Sequence, residues 1–463
     1  GEALGASYRE LRSVRRPVLA LAIGLVIITA LGVGWVAAAL LPAVPFAAAC
    51  ALGAVLAPTD AVAVAASAKR AGLPRRIVSV LEGECLVNDA SGLTILRVAL
   101  MAVAIGSLSA AGIVGILALS VLSGLVVGAL VGVILVFVVR RFADTVAVNS
   151  LVILAPIPVY FLSEALEGSG ILAVVVTALI VASGMHRTTG FRGRMQAFEV
   201  WRHITYILQT FAFYLIGMEV PHVIYILGST SWTRLVALSL IVLGVIIVIR
   251  MLFVTFMVVP HPSQWGGRSM AWKTVAVLGW AGARGPVSGL AAFTIPLVMT
   301  SGAAFPERDL LIATSFLVIV LTLIMAPTLA PLARALRIPD DDEAQIERRA
   351  RVTILRASLE RLDALVAEAE AQNRPLSAAE ITALQVPIEG EIAHETDPEH
   401  HGISQGTDHD RLLALQMELL RAQLEELVRM REEGEIPDTV SRRLQADLDA
   451  RIHAARGEGG PHG

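Results

Sequence analysis

Apolar residues in this chain come in runs of about twenty, separated by short polar stretches, as far as residue 338. A run of about twenty apolar residues is what an α-helix needs to cross the hydrocarbon core of a bilayer. Ten such runs can be drawn, at 17–40, 45–68, 77–106, 113–139, 145–164, 169–185, 203–222, 235–259, 270–297 and 309–335, and each predicts one helix. After 338 the apolar runs stop. Residues 341–371 and 409–456 read instead as amphipathic, charge-laced helices, with Leu412, Leu415, Leu419, Leu424 and Leu427 forming one stripe. The predicted fold is therefore all-α, with a polytopic membrane helix bundle at 1–338 and a helical tail at 339–463.

Composition supports the membrane assignment. The 463 residues are 55% hydrophobic and only 17% charged, with a mean hydropathy of +0.70, and a water-soluble globule has no use for so much apolar surface. The net charge of −3 conceals a division. Residues 339–463 hold 27 acids against 14 arginines, whereas the rest of the chain holds 13 acids against 23 Lys and Arg. The basic residues of the membrane part sit in alternate loops, among them Arg9–Arg16, Lys69–Arg76, Arg140–Arg141, Arg187–Arg202, Arg268–Lys273 and Arg334–Arg337; the intervening loops hold only Arg234 and Arg308. This positive-inside alternation places Gly1 and the tail on the cytoplasmic side of a bacterial inner membrane. Cys50 and Cys85 both lie in apolar runs and imply no disulfide framework. The chain opens without a full first span, so residues 1–16 read as the end of a helix whose body is missing.

Ionisable groups inside apolar runs are costly and point to function. The second run carries Ala57-Pro58-Thr59-Asp60-Ala61 near its middle. Pro58 removes a backbone donor, and carbonyls freed beside a carboxylate are what a dehydrated cation needs; the plain alternative is a proline kink with Asp60 paired to an arginine. The third run carries Glu82-Gly83-Glu84-Cys85-Leu86-Val87-Asn88-Asp89. At about 100° per residue, Glu82, Glu84, Cys85, Asn88 and Asp89 share an arc of about 160°. One face of that helix is thus predicted to line a polar cavity. Glu82 and Glu84 lie near the basic 69–76 loop, while Asp89 lies about two turns deeper, where a structural ion pair is the competing explanation. Arg250 and Arg284 are deep cations able to balance these acids, Arg284 within Gly282-Ala283-Arg284-Gly285-Pro286. An arginine stays protonated, so it suits holding a carboxylate better than carrying protons. Arg97 and Glu219 have weaker context, and His186 and His203 read as solvated surface histidines.

These motifs in combination, Pro58-Thr59-Asp60, Glu82-Gly83-Glu84 with Asn88-Asp89, and Gly282-Ala283-Arg284-Gly285, resemble the bacterial sodium/proton exchangers of the monovalent cation:proton antiporter-1 family, from about residue 2 to the tail. The resemblance implies an inverted-repeat fold with two crossing discontinuous helices, thirteen spans of which about three are absent here, and a homodimer. It implies that Asp89 binds the cation or protons, that Asp60 and the Thr59 carbonyl complete a Na⁺ site, that Glu84 pairs with Arg284, and that Glu2 ends the missing third span. Asn88, where electrogenic relatives carry an aspartate, implies electroneutral one-for-one exchange. Two residues depart from the pattern. Cys85 stands where a Ser is common, and a neutral thiol is a poor ligand for a hard alkali cation; Ala61 replaces a Pro.

The expected function is secondary antiport of Na⁺, with Li⁺ or K⁺ as alternatives, against H⁺, by competition for one carboxylate site opened alternately to each side. The sequence has no Walker motif, and no cofactor, nucleic acid or enzymatic role is expected. A cation channel or an organic-solute carrier is the rival class. An intramembrane aspartyl protease lacks its Gly-x-Gly-Asp signature here. In the tail, His394, His400, His401 and His409 fit no metal spacing and read as a solvated linker around 387–410. The acidic tail is expected to regulate transport against the basic loops.

Overall fold

The computed structural model describes residues 13–105, 110–141, 145–185, 191–227, 232–299, 302–338, 343–371 and 377–396. The chain divides into two compact units, Gly1–Asp341 and Asp342–Gly463. In the first, the helices are α1 (Arg15–Leu40, with a π-helical stretch at Ala20–Leu25), α2 (Phe46–Leu56), α3 (Ala61–Arg70), α4 (Arg75–Ile105), α5 (Ala110–Val139), α6 (Thr145–Leu154) and α7 (Pro156–Ala165). They continue as α8 (Gly170–Met185), α9 (Phe191–Leu227), α10 (Trp232–Val258), α11 (Arg268–Trp280), α12 (Pro286–Phe293), α13 (Arg308–Met325) and α14 (Leu329–Ala335). The described part of the second unit contains α15 (Glu343–Ala371) and α16 (Ala378–Thr396). The latter runs into the stretch read above as linker; the expected helix at 409–456 and His400, His401 and His409 lie outside the described residues.

Every one of the ten apolar runs falls on helix, but not every run is one uninterrupted span. Among the described residues six helices are long and apolar enough to cross a membrane, and the α2–α3 pair, bent by 41° at its break, passes the same test only when its two halves are taken together. The other three runs are the shorter helices around 150–165 and 170–183 and the interrupted pair α11–α12. Pro58 and Pro286 explain the two interruptions, because each lacks the amide that would continue the hydrogen-bond ladder and crowds the preceding turn. Large apolar side chains face outward, including Trp35, Phe137, Phe161, Tyr206 and Phe256, as suits a surface solvated by lipid.

Two buried clusters are the largest of those in the first unit. One joins Leu21 and Leu25 of α1, Ile77, Val80 and Leu81 of α4, Val254 of α10 and Leu278 of α11. The other joins Val33 of α1, Leu52 and Leu56 of α2, Val242 and Ile246 of α10 and Leu311 and Val318 of α13. Helices α1–α4 and α10–α14 thus pack as one group around the two broken helices. Helices α5, α7 and α8 pack on one another, and this second group meets the first along α4. Small residues set the close approaches, since apolar burial alone does not drive association in lipid. At Gly53 of α2 a β-carbon would stand 2.8 Å from the Cα of Ala30.

Candidate functional site at the crossing of two broken helices

The two breaks cross and are tied by one backbone–backbone and one side chain–backbone hydrogen bond. In the first, the chain leaves α2 at Leu56, runs without helical structure from Pro58 to Asp60, and enters α3 at Ala61. In the second, Ala281–Gly285 separates α11 from α12. Asp60 N donates to Ala283 O at 2.8 Å. In the opposite direction Arg284 Nε donates to Leu56 O at 2.9 Å. The Arg284 backbone amide donates to Thr322 Oγ1 of α13 at 3.1 Å, and its Nη1 turns back onto Gly282 O. Gly285 is required by this contact, because a side chain there would collide with the Asp60 side chain.

Broken helices expose helix ends inside the fold, and three of the four exposed here meet a compensating charge. The carbonyl-rich end of α2 receives Arg284 at Leu56 O, and that of α11 receives Arg250, whose Nε donates to Leu278 O at 2.9 Å. The amide-rich start of α3 receives Asp60, whose Oδ2 accepts from Ala63 N at 2.8 Å. Asp60 is therefore an N-cap as well as a candidate ligand, which replaces the reading of it as the partner of an arginine.

Helix α4 lays its polar face against the first break. Asn88 Nδ2 donates to Thr59 Oγ1 at 2.8 Å and approaches Thr59 O at 3.5 Å. Thr59 Oγ1 lies 3.3 Å from Cys85 Sγ and 3.4 Å from Glu84 Oε1. Thr59, Glu84, Cys85 and Asn88 are all buried, and Asn88 Oδ1 has no hydrogen-bond partner. Asp60 and Asp89, each one residue from this junction, are half-buried. Glu82, predicted on the same face, is exposed, because it lies at the edge of the arc and close to the helix start. Glu2 lies outside the described residues.

One expected pairing is corrected. Glu84 binds Arg250, not Arg284: Arg250 Nη1 and Nη2 reach Glu84 Oε1 and Oε2 at 2.5 and 2.8 Å, with both side chains almost fully buried. Arg284 is engaged by backbone carbonyls at the crossing. Arg250, which had no motif to recommend it, thus ties α4, α10 and the end of α11 together through one guanidinium. A second ion pair also escaped the sequence. Arg97 of α4 meets Glu164 of α7 at 3.0 Å; Arg97 had only weak context in the sequence, and Glu164 was not among the candidates.

The sequence profile of the sodium/hydrogen exchanger transmembrane family matches residues 2–335. The chain belongs to that family. It is a transporter and not an enzyme, and the family's activity is cation/proton antiport. The chain is 32% identical, over 97% of its length and 83% of the relative's, to an uncharacterized Na⁺/H⁺ exchanger of Mycobacterium tuberculosis. It is 28% identical, over 94% of its length and 66% of the relative's, to a sodium, potassium, lithium and rubidium/H⁺ antiporter of Bacillus subtilis. The fold matches the sodium proton antiporter MjNhaP1 from Methanocaldococcus jannaschii with a TM-score of 0.61 at 20% identity, covering 73% of this chain and 82% of that one. An all-helical antiporter fold with crossing discontinuous helices is thus the architecture expected from the motifs.

Proposed function

We propose that this family member exchanges one monovalent cation for one proton at the junction of Thr59 and Asn88, with Asp89 as the shared carboxylate and Asp60 and the Thr59 carbonyl as further oxygen ligands. The observation that carries this reading is the hold of Asn88 on Thr59, which joins the unwound backbone of the first break to the polar face of α4, with a half-buried aspartate next in sequence to each of the two. Carboxylate and carbonyl oxygens are the ligands a hard cation selects. Protons and cations compete for a carboxylate partly withdrawn from water, and opening one such site to each side in turn couples the two fluxes. Charge balance supports a one-for-one ratio, because the residue beside Asp89 is the neutral Asn88 and the third buried acid, Glu84, is committed to Arg250.

Na⁺ is the cation assigned, in line with the names of most relatives. K⁺ is the second reading, favoured by the broad range in the name of the Bacillus subtilis relative and by the thiol of Cys85 beside Thr59. The test is dequenching of an internal pH dye in proteoliposomes on addition of Na⁺, Li⁺ or K⁺. Asp89→Asn is expected to abolish the response to every cation; full activity in that variant would sink the assignment.

A further inference from the structure

The Arg97–Glu164 pair has no part in holding the site, yet it joins the helix that carries Asp89 to the neighbouring helix group. Arg97 Nη1 donates to Glu164 Oε2 at 3.0 Å and to Gly168 O at 3.4 Å. Glu164 Oε1 accepts from the amide of Gly170, the first residue of α8, at 3.2 Å, so the carboxylate sits at the end of that helix where partial positive charge favours it. One turn nearer Asp89, Thr94 Oγ1 donates to Ser169 Oγ at 3.2 Å. At about 100° and 1.5 Å per residue, Arg97 lies about 80° around α4 from Asp89 and about 12 Å further along it, and Leu93 lies between them. Both residues are therefore stacked over the face that bears Asp89, on the side away from the basic 69–76 loop.

Two features suit this contact to breaking and re-forming. The side chains of Arg97 and Glu164 are 39% and 33% exposed, and an ion pair so solvated holds its partners only weakly. The same corner also contains unused polar groups. The buried hydroxyls of Ser163 and Ser120 have no hydrogen-bond partner. The first lies against Gly168, whose carbonyl Arg97 touches, and the backbone carbonyl of Ser120 accepts from Ser169 N at 2.9 Å. A corner with spare donors can exchange partners without stranding a polar group.

We propose that Arg97 and Glu164 are positioning residues forming a gate on the side opposite the basic loops, closed in the arrangement seen and broken each time Asp89 is presented to that side. The gate rests on the alternating opening of the site proposed above. A fixed structural pair and a gate differ in what happens when the two positions are tied together. In proteoliposomes, Arg97→Cys combined with Glu164→Cys is bridged by a cleavable bifunctional thiol reagent long enough to span the former ion pair. Bridging is expected to slow exchange at least about tenfold, since the bridged population cannot reach the open state, and cleavage is expected to restore it. Each single-cysteine variant, which shares the buried Cys50 and Cys85, serves as the control. Bridged protein that exchanges at the unbridged rate overturns the gate.

A second measurement needs no transport activity. Leu93→Cys is labelled by a membrane-impermeant thiol reagent from the side opposite the basic loops, with and without Arg97→Ala. Loss of a weak ion pair is expected to raise the labelling rate about fivefold, and equal rates overturn the proposal. Labelling does not depend on whether Asp89 binds the ion. Failure of the gate therefore leaves the Asp89 dependence of exchange intact, and failure of the site leaves the labelling difference intact.

Discussion

The buried Glu84–Arg250 pair permits a prediction with a magnitude. Arg250→Met removes two charge-assisted hydrogen bonds, of 2.5 and 2.8 Å, and the Nε contact to Leu278 O, and it strands Glu84 in a site only 2% exposed. Breaking one side of a buried ion pair costs about 3–5 kcal/mol, most of it from the charge left unpaired. Glu84→Gln strands the arginine and costs a similar amount. The double variant strands neither charge, so its cost falls below that of either single change, giving a coupling of at least about 3 kcal/mol. The same cycle with Arg284→Met in place of Arg250→Met is expected to give under about 1 kcal/mol, because Arg284 donates to Leu56 O and Gly282 O and makes no hydrogen bond to Glu84. Unfolding in detergent by SDS titration, followed by tryptophan fluorescence, reads all these values. A coupling of Glu84 to Arg284 that equals or exceeds its coupling to Arg250 would rule out Arg250 as the partner that holds Glu84.

Two further outcomes follow from the crossing. Gly285→Ala places a methyl group into the Asp60 side chain; overpacking of this kind costs about 1–3 kcal/mol, and the SDS titration should show that loss together with a lower exchange rate, whereas an unchanged rate would mean the two breaks are not in contact during transport. Cys85→Ser keeps a partner for Thr59 Oγ1, now 3.3 Å from the thiol, and supplies an oxygen in place of sulfur, so Na⁺ exchange in the dye assay is expected to equal or exceed that of the parent; a loss would assign the thiol to packing.

Hydropathy made the helices legible because a bilayer dictates both their length and their composition. Pro58 and the glycine-flanked Pro286 marked the breaks because proline lacks the amide of the helical ladder and crowds the turn before it, although Pro221 lies inside the unbroken α9. The face shared by Glu84, Cys85 and Asn88 was legible for a similar reason: helical periodicity is a local property, and those three residues do meet Thr59. The partner of Glu84 was not legible. Periodicity says which way a side chain points from its own helix but not which of two deep arginines on other helices stands opposite, and Arg250 lies 166 residues away along the chain. Arg97 and Glu164 are separated by 67 residues and lie on different helices, so no local periodicity relates them. The 145–164 run also hid a division at Pro156, since hydropathy records how apolar a stretch is and not whether its hydrogen bonds continue.

In the exchange proposed above, cation and proton occupy one site that depends on Asp89. Binding of Na⁺ to the purified protein, measured by calorimetry across a pH series, tests it most directly. The prediction is an apparent affinity that weakens steadily as pH falls, at constant stoichiometry and with proton release on binding, and no measurable binding in Asp89→Asn. Na⁺ binding that ignores pH, or that survives in Asp89→Asn, would contradict it.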